Sequence, residues 1–522
     1  MGEAAAVSGD AGARARVRVL AVSRVAPSPA PVERERVGLS FFDTPWVVLP
    51  PIQRVFLYET AAAADGGGGD GFAAAVERLK GSLAATLALY LPLAGKLVYV
   101  EETEDVVVDC AAADDADSGV AFVEAEAEDA AAEAMDVRRL AGDEAHDVAA
   151  FLALVPELDT RALPAPVLSV QATRLGGGAG LALGLSVHHA VADGRAVWQF
   201  MEAWSSAARV GSPVTKSLGA PHYRREMAIP QPDGGELARH MLKLVAPKLP
   251  AVASGEHDFS QRFRLARRTF HLGADAIQSV KRRIDELASA EEEAAGGAKP
   301  KPVSTFVALA AMGWAAFVRS KALADGDDTY LIFLADLRAR LDPAVGEGYL
   351  GNCVRMCLAR CPDSAELRGE RGLLRAARAV QAAVAEMEAA PLAGTADGSA
   401  IARVMQIPFS RMANVAASPR FGAYGAADFG FGRPARVELV SMNHDGEMVL
   451  VGGRRDGEVQ LSVSIDPAHV DAFKAQCQKS NNDNVCNFAR NKTTGVIGRP
   501  AGAPCMLRGT VVVTGDCSAI VA

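Results

Sequence analysis

The sequence predicts an α/β fold made of two lobes of similar size. Strand-like runs and amphipathic helices occur along the chain without strict alternation, so an α+β class stays open as well. Residues 216–260 are rich in Pro and Gly and show no strong periodicity, which is typical of a linker between two such halves. The predicted lobes therefore span residues 1–215 and 261–478, and the linker crosses from one to the other.

The composition argues against several classes of protein. Of the 522 residues, 50% are apolar and 22% are charged, so the chain can bury a sizeable core and is not a disordered protein. The net charge of −9 argues against a dedicated nucleic-acid binder. The longest uncharged apolar run, Phe306 to Val318, is too short to span a membrane. Eight cysteines without a recognisable secretory signal predict reduced thiols in a cytoplasmic protein.

The first lobe is predicted to open with an extended segment and a strand, because three prolines interrupt the apolar residues 39–59. Apolar residues recur every three or four positions over residues 72–89 and 195–209, which predicts two amphipathic helices. Residues 111–133 are acidic and rich in alanine, and they are predicted to form a surface loop with some helix. Short apolar runs predict strands at residues 97–100, 105–109 and 181–187.

The second lobe shows the same mixture of elements. Its periodicity predicts a helix over residues 274–287 and another helix that begins at Ser304. Apolar runs predict strands at residues 268–272, 330–335, 437–442 and 460–464.

The C-terminal residues 479–522 differ from the rest of the chain. They contain five of the eight asparagines and three of the eight cysteines, and they carry five Lys or Arg against two Asp. This change predicts an atypical, poorly ordered tail, and an additional strand at residues 510–514 is the alternative.

The strongest chemical signal is HHAVADG, residues 188–194, which directly follows the predicted strand 181–187. A histidine at the end of a strand is held rigidly yet can reach a cleft, and its pKa suits a general base near neutral pH. Asp193 can orient the imidazole or hold the loop, while Gly194 permits a sharp turn. Two histidines and an aspartate could also bind zinc, but adjacent histidines point to opposite faces of a strand, so no metal site is predicted.

HHAVADG resembles the HxxxD motif of the plant BAHD acyltransferases, which transfer acyl groups from CoA thioesters to alcohols or amines. Peptide-synthetase condensation domains share this pattern and a similar two-lobed fold. The second lobe favours the BAHD family, because DFGFG at residues 428–432 is similar to its DFGWG motif, with Phe431 in place of tryptophan. YLGNC at residues 349–353 resembles the YFGNC motif of the subgroup that acylates anthocyanins and other phenolic glycosides, often with malonyl groups; here Leu350 replaces phenylalanine.

The resemblance extends from about Val17 to Gln478 and implies a chloramphenicol acetyltransferase-like fold with an active-site channel between the lobes. It also implies direct acyl transfer without an acyl-enzyme, in which His189 takes the proton from the acceptor hydroxyl. Asp193 would be mainly structural and would pair with Arg338. The motif that would organise a turn of the second lobe consists of Asp428, Phe429, Gly430, Phe431 and Gly432.

A CoA thioester needs groups that bind its phosphates. Ser304 and Thr305 stand at a predicted helix start with free backbone N–H groups, and Lys281 matches a basic position that the family uses for CoA. A malonyl donor also needs a cation for its free carboxylate. Arg195, directly after HHAVADG, and Arg355, just past YLGNC, are the candidates.

The sequence therefore predicts a monomeric enzyme that moves an acyl group, malonyl in the first instance, from acyl-CoA to a hydroxyl of a phenolic, flavonoid or anthocyanin glycoside. It predicts acyl-CoA as a cosubstrate, no permanently bound cofactor, and no nucleic-acid or membrane partner. Three alternatives stay open. They are an aromatic hydroxycinnamoyl donor, an inactive relative that acts as a binding protein, and a condensation-type enzyme.

Overall fold

Two six-stranded mixed sheets and a smaller four-stranded sheet organise the described part of the chain. The computed structural model describes residues 16–31, 35–60, 68–110, 119–143, 145–176, 180–214, 220–225, 229, 233–252, 263–295, 302–395 and 398–482. The predicted tail therefore lies outside the described residues, except that the last helix continues to Asn482.

The elements are numbered in chain order. The strands are β1 Val17–Val25, β2 Glu35–Gly38, β3 Ile52–Glu59, β4 Lys96–Val100, β5 Asp105–Cys110, β6 Val120–Ala127, β7 Ala165–Pro166, β8 Leu168–Arg174, β9 Gly180–Val187, β10 Ala266–Leu272, β11 Thr329–Asp336, β12 Val354–Cys361, β13 Met412–Ala416, β14 Arg436–Leu439, β15 Glu447–Gly452 and β16 Val459–Ile465. The helices are α1 Gly68–Leu87, α2 Val137–Leu140, α3 Val148–Ala153, α4 Gly194–Val210, α5 Gly234–Val245, α6 Ala274–Ala295, α7 Thr305–Lys321, α8 Ser364–Arg368, α9 Gly372–Ala389, α10 Ser399–Met405 and α11 Val470–Asn482.

The first large sheet has the strand order β1-β6-β8-β9-β3-β14. Strand β14 belongs to the second half of the chain, yet it pairs antiparallel with β3, with Val437 opposite Phe56. The first half in turn contributes to the second, because Phe41 and Phe42 pack in the apolar core of the second half. The two halves of the chain are therefore interlocked rather than simply joined.

The prediction of a loop with some helix for residues 111–133 was wrong over residues 120–127, whereas residues 129–131 do form a short 3-10 helix. Residues 120–127 form strand β6, which pairs antiparallel with β1 and parallel with β8. Val120 and Phe122 are buried in the core, with the intervening Ala121 only half-buried. This alternation of buried and half-buried positions has the period of a strand, and it outweighs the acidic composition of the stretch.

The predicted linker contains a helix, α5, which its Pro- and Gly-rich composition hid. Ala238, Met241 and Leu242 lie one turn apart and are buried, so a single apolar stripe holds the helix. This helix packs against the short 3-10 turn Thr44–Trp46, which interrupts the extended segment predicted for residues 39–51. The linker thereby contacts the segment that reaches the candidate site.

The second large sheet has the order β10-β16-β15-β13-β11-β12, and α7 is buried against it along almost its whole length. The helix predicted over residues 274–287 continues to Ala295, and the strand predicted at 437–442 ends at Leu439. No helix in the described ranges is long and apolar enough to cross a membrane.

Candidate active site

The HHAVADG segment leaves the end of β9, a strand whose residues are all buried. Pairing with β3 and β8 on either side fixes this end, and the His188 N–H continues the ladder by donating to the Val167 carbonyl at 2.7 Å. The His188 Nδ1 accepts from the Ala190 N–H at 3.3 Å. Burial, followed by the charge of His189, lowers the pKa of His188 to about 3, so this histidine is a neutral part of the loop.

The ring of His189, the second histidine of the motif, is held against an aromatic side chain. The ring stacks on the Trp46 indole, with centroids 4.1 Å apart and planes 8° apart. Burial lowers the pKa of His189, and the Asp193 carboxylate and the Asn352 amide oppose that shift without reversing it. The imidazole is therefore neutral at pH 7 and carries a free lone pair.

Asp193 is committed to structural contacts. Its Oδ1 accepts from the Ala196 N–H at 2.9 Å, which caps helix α4. Arg338 donates to both carboxylate oxygens, with Nη1 2.9 Å from Oδ2 and Nη2 3.1 Å from Oδ1. The Cys353 N–H adds a fourth bond at 3.0 Å. The structure thus brings Asp193 and Arg338 together in a buried pair that ties the loop to the second half of the chain.

A second buried carboxylate, Asp43, also reaches the site, and the sequence analysis missed it. Its Oδ1 accepts from the Asn352 backbone N–H at 2.8 Å and from the Asn352 Nδ2 at 3.0 Å. Arg225 of the predicted linker donates to Asp43 Oδ2 at 3.2 Å. Asp43 lies in the aromatic stretch LSFFDTPWV, where an isolated carboxylate among apolar residues was the signal that could have revealed it.

Asn352 of YLGNC connects Asp43 to His189. Its Nδ2 also donates to the His189 carbonyl at 2.9 Å, so both of its acceptors face the amide nitrogen. Because the amide nitrogen faces both acceptors, the Asn352 Oδ1 points away from them. Asn352 Oδ1 and His189 Nδ1 are both buried, and neither has a hydrogen-bond partner in the described ranges. The Asn352 amide therefore ties the His189 backbone to Asp43.

The DFGFG motif forms a turn that packs on the first large sheet's helices rather than on His189. Gly430 and Gly432 have φ angles of +92° and +89°, which residues with a Cβ rarely adopt. The Gly430 N–H donates to Asp428 Oδ1 at 2.9 Å and closes the turn. The buried Phe429 ring packs edge-on against Trp204 of α4, with centroids 4.8 Å apart.

The comparison with protein families decides the assignment. A model of the transferase family matches residues 15–480. This chain belongs to that family, the BAHD acyltransferases. A phenolic glucoside malonyltransferase 2 of Arabidopsis thaliana is 28% identical over 86% of this chain and 96% of its own length. A coumaroyl-CoA:anthocyanidin 3-O-glucoside-6''-O-coumaroyltransferase 2 of the same plant is 26% identical over 87% and 95%.

The fold agrees with this assignment. The crystal structure of vinorine synthase superposes with a TM-score of 0.63 at 16% identity and covers 89% of this chain and 98% of its own. The predicted α/β class and the two-lobed architecture are therefore confirmed.

The two departures from the BAHD motifs are packing substitutions. Leu350, in place of phenylalanine, is fully buried in the core of the first lobe. Phe431, in place of tryptophan, packs edge-on against the Tyr58 ring at 5.5 Å. Both side chains keep an apolar contact in this BAHD acyltransferase.

The predicted CoA residues lie on two helices of this BAHD acyltransferase that pack against each other, α6 and α7. Ser304 caps α7, because its Oγ accepts from the Val307 N–H at 3.2 Å. Thr305 is the first residue of α7, and Lys281 is a half-buried residue of α6. The roles of these three residues in CoA binding stay predictions.

The two arginines predicted for a malonyl carboxylate already have acidic partners. Arg195 forms ion pairs with Glu347 and with Asp336, the latter at 3.5 Å. Arg355 donates to the Ala390 carbonyl and lies 3.9 Å from a Glu386 carboxylate oxygen. The part of the chain that the structure describes contains no cluster of three or more His, Cys, Asp or Glu side chains that could hold a metal ion.

Proposed function

We propose that this BAHD acyltransferase moves a malonyl group from malonyl-CoA to a hydroxyl of a phenolic, flavonoid or anthocyanin glycoside. The observation that carries the proposal is the neutral, rigidly held His189 at the end of β9. Malonyl transfer to such an acceptor is the activity named for the phenolic glucoside malonyltransferase relative.

In the proposed mechanism the acceptor and the CoA thioester bind together. His189 takes the proton of the acceptor hydroxyl as its oxygen attacks the thioester carbonyl. The tetrahedral oxyanion collapses and expels the CoA thiolate, which receives the proton from His189. A general base of this kind contributes roughly 10²–10⁴-fold, and positioning of the two substrates supplies much of the rest.

Direct transfer is supported by the state of the nearby thiols. Cys353, Cys357 and Cys361 are buried, and burial raises the pKa of each thiol, in Cys357 to about 11. A protonated, buried thiol is a poor nucleophile at neutral pH. The three cysteines therefore serve as small core residues, and the proposal needs no acyl-enzyme.

The second candidate function is transfer of an aromatic hydroxycinnamoyl group. It is favoured by the similarity to the coumaroyltransferase, which matches this chain almost as well as the malonyltransferase does. The acceptor class is the same in both proposals, because both relatives are named for glucosides.

The test is to incubate the purified protein with a panel of acyl-CoAs and glucosylated flavonoids and anthocyanins, following thiol release and identifying products by mass. The proposal expects acceptor-dependent thiol release with malonyl-CoA and a product heavier by one malonyl group. His189→Ala protein is the matched control for uncatalysed transfer. Release with coumaroyl-CoA alone would favour the second candidate, and no release with any donor would overturn both.

A further inference from the structure

Arg54 of β3 is a buried guanidinium without a counter-ion. Its side chain is 4% exposed, and its Nε is buried without a hydrogen-bond partner. No described residue forms a salt bridge or a hydrogen bond with the Arg54 side chain. The guanidinium lies over the face of the Trp198 indole, with its carbon 4.8 Å from the ring centroid. A buried cation held in this way is costly unless an anion completes the site.

The sheet separates Arg54 from the one acidic group that influences it. Burial lowers the pKa of Arg54 to about 10 and the charge of Glu438 opposes the shift, so the guanidinium stays charged at neutral pH. Glu438 pairs with Val55 in the β14–β3 register and therefore points to the opposite face of the sheet from Arg54. There its carboxylate accepts from the Thr269 and Ser462 hydroxyls. The one carboxylate that acts on Arg54 thus lies on the opposite face of the sheet and forms no ion pair with it.

A second unused donor lies beside the guanidinium. The Trp198 Nε1 is buried and also lacks a partner within the described ranges. A guanidinium and an indole N–H in one stacked pair are a suitable donor set for a carboxylate, which accepts several hydrogen bonds.

This pair lies close to the reacting loop. Arg54 pairs with Leu185, and the next inward-facing pair, Ile52 with Val187, is at the strand end from which His189 emerges. Trp198 lies one turn into α4, whose first residue is Gly194. Phe421 lies between Trp198 and the start of α4. Its ring contacts Trp198 and would lie 3.4 Å from a side-chain carbon added at Gly194.

We infer that Arg54, backed by Trp198, binds the free carboxylate of the acyl group, so that the site selects CoA thioesters of short dicarboxylic acids. The inference rests on the proposed function and names the residue that would set its donor class. It replaces Arg195 and Arg355 in that role, since both already pair with acidic side chains.

The experiment compares malonyl-CoA with acetyl-CoA, which lacks the carboxylate, in the wild type and in Arg54→Gln. The ratio of kcat/KM for malonyl-CoA to that for acetyl-CoA is expected to fall about 10- to 100-fold, the usual effect of losing a charged hydrogen bond. Arg195→Gln and Arg355→Gln are the matched controls and should keep the ratio within about threefold of wild type. Arg54→Lys keeps the charge but loses the planar fork, and it should give an intermediate ratio.

Binding separates this inference from the proposed function. Calorimetry in the His189→Ala background should show that Arg54→Gln weakens the binding of malonyl-CoA by the same factor of about 10- to 100-fold. The dissociation constant of free CoA should not change. If the wild type transfers no acyl group, the proposed function fails and these dissociation constants still decide the role of Arg54. The inference would be overturned if Arg54→Gln and Arg54→Lys each lowered kcat/KM equally for malonyl-CoA and acetyl-CoA. A wild type that prefers acetyl-CoA, or a collapse of the ratio in Arg195→Gln or Arg355→Gln, would overturn it as well.

Discussion

The charge of His189 is decided by what surrounds its ring. Trp46 covers one face, and the enclosure lowers the pKa of the imidazole below its ordinary value of 6.5. A general base must be unprotonated, so kcat/KM should stay constant from roughly pH 8 down to about 6.5 and fall only at more acidic pH. A pH–rate profile with glycoside acceptor and saturating acyl-CoA measures this. An inflection above pH 7 would contradict the neutral state derived from the structure.

Replacement of His189 by alanine tests the base itself. The variant should lose about 10²-fold or more in kcat, whereas the dissociation constant of CoA should stay within a few-fold of wild type. Single-turnover rates and calorimetry give the two quantities. If more than about a tenth of the wild-type rate remains, His189 is not the base.

Asn352 is a positioning residue whose effect should appear in the pH profile. Asn352→Leu keeps the approximate volume but removes the amide between Asp43 and His189. Since the amide raises the pKa of His189, its loss should move the acidic limb of the profile to lower pH and reduce kcat about tenfold. Leu350→Met, a change at the neighbouring buried position, is the control. A lower Tm with an unshifted profile would show that Asn352 acts only on stability.

At the scale of single elements, helix α4 begins where the two halves of the chain meet, because Asp193 both caps it and pairs with Arg338. Asp193→Asn leaves the buried Arg338 guanidinium with Asp336, 3.1 Å away, as its remaining carboxylate partner, and breaking a buried ion pair on one side typically costs about 3–5 kcal/mol. We expect a lower Tm together with lower activity, measured by thermal unfolding and turnover. Adding Arg338→Gln should recover part of the lost stability. A variant that unfolds like the wild type but is inactive would instead assign Asp193 a direct role in orienting His189.

Local sequence patterns predict some of these elements and not others. The β9–loop–α4 unit was predictable, because its strand, its HHAVADG turn and its helix are neighbours with clear local patterns. The contact between Asp43 and Asn352 was not predictable, because the two residues are 309 positions apart and no local pattern specifies such a contact. Strand β14 has the composition of an ordinary strand, and nothing in its four residues indicates that it joins the sheet of the other half.

At the scale of the whole molecule, the interlocked halves make the folding of one half depend on the other. Besides lending β14 to the first sheet, the second half supplies Arg436, which is buried and donates to the Ala141 and Gly142 carbonyls. The first half returns Phe41 and Phe42 to the second core. Removing either half would expose a strand edge and unpaired polar groups, both of which are costly.

We therefore expect the fragment 1–215 to show no cooperative unfolding transition on its own, in denaturant titrations followed by circular dichroism. Co-expression with residues 216–522 should restore a soluble complex, because β14 and Arg436 are then available to complete the first sheet. Val440→Pro in the full chain is the sharper test, because the Val440 N–H, directly after β14, donates to the Gln53 carbonyl of β3 at 2.7 Å. Losing this bond should cost about 1–3 kcal/mol. The contrary result is an isolated fragment that unfolds cooperatively, with a denaturant dependence of the unfolding free energy in proportion to its length. The first half would then be an independent domain whose stability does not depend on the second half.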